Sequence, residues 1–176
     1  MLLRKINAII SLLTTLFLLY HAIFASVYMF SKESVEQGAP FAPWILAGLV
    51  LLHAFISIYF AFSSHEGEEK RKVKSYPKLN RVTIFQRVSG ILLIVFSALH
   101  IAGASGAMNP PHIVHTIIPP IFFTIALAHT AVSTDKAFIT LGIGNARVIK
   151  VVSVAVKLIC LATLIAAIVG FYLYVW

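Results

Sequence analysis

Apolar residues run through this chain in long, nearly unbroken blocks separated by short polar stretches, and the length of the blocks, rather than a period within them, predicts the elements. Residues 6–30, 44–62, 84–103, 113–134 and 151–176 each supply about the 20 residues that cross the hydrocarbon of a bilayer. Lipid offers no partner to an unpaired amide, so every block predicts an α-helix, and the expected fold is an all-α integral membrane bundle of five transmembrane helices. The first block, "LLRKINAIISLLTTLFLLYHAIF", runs on past a signal-like stretch without an A-x-A site and reads as a mature helix. No repeat or low-complexity segment interrupts the pattern, and residues 1–176 read as one transmembrane domain. The short loops leave no room for a soluble catalytic module.

Composition agrees about the solvent. Of 176 residues 60% are apolar and 11% charged, where soluble domains carry roughly 25% charge. Cys160 is the single cysteine, so no intrachain disulfide forms, and its place in an apolar run suits a small buried side chain.

Lysine and arginine set the expected orientation. Arg4 and Lys5 precede the first helix; the second loop, "SSHEGEEKRKVKSYPKLNR", carries Lys70, Arg71, Lys72, Lys74, Lys78 and Arg81; the fourth carries Lys136, Arg147 and Lys150. The first loop has only Lys32 beside Glu33 and Glu36, and the third, "ASGAMNPP", has no charge. The positive-inside bias therefore puts the N-terminus in the cytoplasm and the C-terminus outside, in a multi-pass protein of the cell membrane. A net charge of +8 then requires no nucleic acid; it faces anionic lipid or a soluble partner.

Four of the five helices carry one histidine at membrane depth. At about 1.5 Å of rise per residue, His21 lies roughly 22 Å and His100 roughly 24 Å from the cytoplasmic ends of helices one and three. Helices two and four run the other way, which puts His53 roughly 14 Å and His129 roughly 9 Å from that side. The four sort into an outer pair, His21 and His100, and an inner pair, His53 and His129. Two imidazoles at one depth on different helices suit bis-histidine haem ligation; hydrogen-bonded histidine pairs and lone core histidines are the plain alternatives. Ala22, Ala54, Ala98 and Ala128 lie within two positions of the histidines, small enough to let a flat macrocycle approach.

The stretch "FQRVSGILLIVFSALH" resembles the third-helix signature of the five-helix, two-haem cytochrome b anchors of succinate:quinone and quinol:fumarate oxidoreductases, with its Gln-Arg-Val-Ser-Gly start and a histidine ten residues after the glycine. "LLYHAIF", "LLHAFISIYFAF" and "ALAHTAVSTDKAFITLGIG" extend the likeness over nearly the whole chain. The resemblance implies two b haems, the outer held by His21 and His100 and the inner by His53 and His129. It also implies a flavoprotein subunit and an iron-sulfur subunit docked on the cytoplasmic basic loops. A quinone would be the exchangeable substrate, menaquinone being the one expected in this class. On that reading the chain is the quinone-reactive electron-transfer subunit of an oxidoreductase, with no dicarboxylate catalysis of its own.

Further polar residues divide between roles. Arg87, just inside helix three, either binds an inner-haem propionate, as its place in the resembling motif implies, or snorkels to the headgroups. Gly90, one turn on, allows close approach of haem or helix. Lys157 is a further cofactor contact or a snorkelling cation. Members of the resembling family often use an acidic residue near the outer haem for quinone protons; Glu33 and Glu36 are the acids nearest that level, and both also suit a wet loop. His65 sits in a charged loop. His112 and His115, three apart after the outer prolines, share a helix face and suit metal binding, a propionate contact or neither. Two rival readings stand beside this one: a di-haem anchor of another membrane-bound reductase or dehydrogenase, and a haem-free proton channel or transporter whose histidines relay protons.

Overall fold

The computed structural model describes residues 2–31, 42–63, 77–104 and 112–175. They form five helices: α1 (Leu2–Ser31), α2 (Ala42–Ser63), α3 (Pro77–Ala104), α4 (His112–Leu141) and α5 (Ala146–Val175). All five are long and apolar enough to cross a membrane, and no strand occurs among the described residues. The chain is an all-α, five-helix, multi-pass membrane protein.

Four helices outrun their apolar blocks at both ends, and α5 outruns its block at the start. α3 begins at Pro77, seven residues before position 84, and α4 ends at Leu141, seven residues beyond 134. Hydropathy marks where lipid ends, whereas the i→i−4 ladder continues until something stops it. Pro77 opens α3, where a missing N–H costs nothing. α4 stops at Gly142, whose φ of 83° is left-handed. There Gly142 N donates to Ile139 O at 3.1 Å and Ile143 N to Phe138 O at 3.3 Å, a Schellman cap. Three residues later Asn145 caps α5, its Oδ1 accepting from Arg147 N at 3.1 Å and Val148 N at 3.2 Å. This short capped turn fixes α5 antiparallel to α4.

Four helices close a ring in chain order. α1 packs on α2 and on α4, α4 packs on α3, and α2 meets α3 only lightly; α5 lies outside, in the groove between α1 and α4. Across the diagonals the helices stay apart: among the described residues, α1 makes no close main-chain approach to α3, nor α2 to α4. Contacts are made by small side chains. Ala8, Ala126, Ala137, Ala167, Ser26, Thr130, Thr134, Ser153 and Thr163 are all buried, as expected where helices in lipid associate through van der Waals packing. Ser26, Thr134, Thr14, Thr15 and Thr124 return their hydroxyls to the carbonyl four residues back, which lets them sit in hydrocarbon at little cost. Among the described residues no large side chain is fully buried.

A candidate haem-binding centre

The two diagonals of the ring carry the four membrane histidines. On one, the ring centroids of His21 (α1) and His100 (α3) lie 6.3 Å apart with their planes at 74°. Two imidazole nitrogens each about 2 Å from a shared metal ion put ring centroids roughly 6 Å apart. The spacing fits a single ion between the two rings, and a direct hydrogen bond would draw them closer. Phe122 of α4 lies against His100, centroids 5.3 Å apart, with Phe96 and Phe123 beyond it. Phe171 of α5 continues this aromatic wall.

On the other diagonal His53 (α2) and His129 (α4) lie within electrostatic range of one another. The His129 ring is held from α3: its Nδ1 is 2.7 Å from Ser89 Oγ, and that hydroxyl also donates to the Phe85 carbonyl. Gly90 is the next residue, and a Cβ there would stand 3.7 Å from His129 Cε1, an ordinary contact. The close approach that Gly90 allows is thus to the His129 ring. His53 differs from its partner. Its ring lies against the Asn7 backbone, yet its Nδ1 is buried without a hydrogen bond, as is the Asn7 side-chain oxygen. Asn7 Nδ2 itself reaches across to Ser57 of α2 at 3.4 Å. Buried polar atoms without partners are costly and few in native structures, and they cluster where a ligand or water belongs.

At the basic end of the ring Lys136 (α4) donates to Gln86 Oε1 and Thr83 Oγ1 of α3, at 2.5 and 3.3 Å, and Gln86 Nε2 donates to Ser133 Oγ at 3.3 Å. Arg87 is exposed and near enough to Lys136 for the two cations to interact.

Lys157 has another occupation. Its Nζ is 3.2 Å from Asp135 Oδ2 and 2.7 Å from Ser153 Oγ, so it ties α5 to α4 on the outside of the ring. Its ammonium faces that helix contact, a pairing that nothing in the sequence marks beyond the presence of an acid at Asp135. Of the four alanines nearest the histidines, Ala22, Ala54 and Ala128 are half-buried and Ala98 is exposed. Ser89, Asn7, Phe122 and Asp135 are the residues that sequence reasoning passed over. For Asn7 a signal existed, a lone amide inside an apolar block. Glu33, Glu36, His65 and the loop lysines and arginines Lys70, Arg71, Lys72 and Lys74 lie outside the described residues, as do the side chains of His112 and His115.

The donor set suits haem. Each level offers two imidazoles, which is what an iron already held by four macrocycle nitrogens requires. The unsatisfied nitrogen of His53 is consistent with that occupant. The chain matches no protein-family model, no curated protein and no solved structure.

Proposed function

We propose that this chain is a di-haem cytochrome b that anchors a redox enzyme to the cell membrane and relays electrons between a quinone and cytoplasmic iron-sulfur and flavoprotein subunits of the succinate dehydrogenase and fumarate reductase type. One observation carries the reading: the imidazoles of His21 and His100, on helices that make no close main-chain approach, have ring centroids 6.3 Å apart, the spacing of two rings on one metal ion. His21 and His100 would hold one haem and His53 and His129 the other; each haem, when bound, supplies a one-electron couple whose potential depends on burial and hydrogen bonding. The chain's own contribution is to space the ligands, exclude water with the Phe122 wall and fix ring orientation. Arg87, with Lys136 beside it, supplies positive charge at the basic end for the carboxylates of the inner haem. The soluble partners, the quinone and the cytoplasmic placing of the basic loops rest on the sequence resemblance and its lysine and arginine bias.

The test is haem content of the purified chain by pyridine haemochrome, together with a dithionite-reduced spectrum. Two b haems per chain are expected, both extractable by acid acetone because no C-x-x-C-H motif exists to attach them covalently. A colourless preparation from haem-sufficient cells would favour the proton channel. Two haems with a different co-purifying dehydrogenase would keep the cytochrome and change its partner.

A further inference from the structure

His129 is held in a way that its partner His53 is not, and the hydrogen bonds show which of its nitrogens is free. Ser89 is buried, 3% exposed, and its Oγ lies 2.7 Å from His129 Nδ1. The same oxygen is within hydrogen-bond distance of the Phe85 carbonyl one turn back. At 2.5 Å the Ser89 and Phe85 oxygens are too close to meet without a hydrogen between them, and a carbonyl has none to give, so the Ser89 hydrogen goes to Phe85 O. Toward His129 the Ser89 oxygen can then only accept. The hydrogen in that bond belongs to Nδ1, and a neutral imidazole with Nδ1–H keeps a bare lone pair on Nε2.

We infer that Ser89 is the positioning residue of the inner haem site: by accepting from Nδ1–H it fixes the tautomer and rotation of the His129 ring so that Nε2 is the metal-ligating atom. This rests on the di-haem reading above. The chain from the Phe85 carbonyl through Ser89 to His129 lies within α3 and α4, which pack directly on one another, so the ring is braced by the scaffold rather than by the cofactor. His53 Nδ1, by contrast, is buried without a partner. The His53 ring is bonded instead to the Asn7 backbone, so a change at Ser89 acts on one ligand of one haem of the two. A hydrogen bond given by Nδ1–H raises the basicity of Nε2, which favours ferric over ferrous iron and keeps that haem's potential low.

The experiment uses the full chain purified with its haems, in the unsubstituted form and as Ser89→Ala and Ser89→Thr. In Ser89→Ala one potentiometric component should move upward, a tenfold change in ferric-over-ferrous preference being about 59 mV for a one-electron couple. The other component should stay in place. The component that moves should be the one His129→Ala removes, and Ser89→Thr, which keeps a hydroxyl, should restore it. Unchanged midpoints in Ser89→Ala, a shift of both components, or no rescue by threonine would overturn the assignment. Should Ser89→Ala fail to insert, the unsubstituted chain in lipid bilayers still answers: solid-state NMR with ¹⁵N-histidine, the His129 signals assigned by their loss in His129→Gln, should show a protonated Nδ1 in haem-free protein. A protonated Nε2 would refute the inference. Haem missing from the unsubstituted, haem-sufficient preparation would instead be the failure of the cytochrome reading, and the NMR result separates the two.

Discussion

The imidazoles of His21 and His100 face one another with ring centroids 6.3 Å apart, although the helices that carry them, α1 and α3, make no close main-chain approach among the described residues. Two side chains reach toward each other across a gap that their backbones leave open. His53 and His129, on the other diagonal, lie within electrostatic range of one another.

The pairing predicts which substitutions share a phenotype. His21→Ala and His100→Ala should each remove one haem component from the reduced low-temperature spectrum, and His53→Ala and His129→Ala the other. Only protein recovered from the membrane fraction is scored, because a lost cofactor also empties the bundle interior. Loss of the same component by His53→Ala and His100→Ala would mean that the diagonals are wrongly assigned.

Gly90 makes a graded prediction. A Cβ at this position stands 3.7 Å from His129 Cε1, so Gly90→Ala fits without displacement and gains helix propensity, about 1 kcal/mol on scales measured in water. A larger side chain has to push the His129 ring. Thermal unfolding in detergent and the reduced spectrum should show Gly90→Ala equal to or more stable than the unsubstituted chain with both haems. Gly90→Leu should lose the same component as His129→Ala. Equal behaviour of the two variants would show that the ring does not depend on this space.

Lys157 and Asp135 should prove to matter for packing. Their side chains are 46% and 40% exposed, so the pair contributes at most about 1 kcal/mol. Lys157→Leu leaves the Asp135 carboxylate without its cation, one oxygen of it already buried and unpartnered. The single variant should melt a few degrees earlier, and Lys157→Leu with Asp135→Asn should recover most of the loss, with both haem components intact throughout. A haem lost on Lys157→Leu would return this lysine to the role of cofactor contact.

The turn between α4 and α5 offers a stability test remote from the histidines. At Gly142 the φ of 83° costs an alanine roughly 1–2 kcal/mol, and removing the Asn145 side chain that caps α5 costs about 1 kcal/mol. Gly142→Ala and Asn145→Ala should each lower the unfolding temperature, nearly additively only if the two caps act independently; the shared four-residue turn makes some coupling expected. The haem spectrum should not change.

The sequence by itself determined the solvent, the number of spans and the height of each histidine. Block length answers to bilayer thickness, and a fixed rise per residue turns position into depth, so His21 and His100 were placed at one level before any fold was known. Even the α4–α5 turn was legible, since "GIGN" puts glycine at one cap and asparagine at the next. What only the tertiary structure decided is lateral: which helices are neighbours, that α5 stands outside the ring, that Lys157 turns to Asp135, and that Ser89 grips His129. In water the apolar stripe of a helix tells which face is buried. In lipid the outside is as apolar as the inside, so that cue vanishes, and the choice of face passes to small residues and a few hydrogen bonds whose partners lie 20 to 50 positions away in the chain.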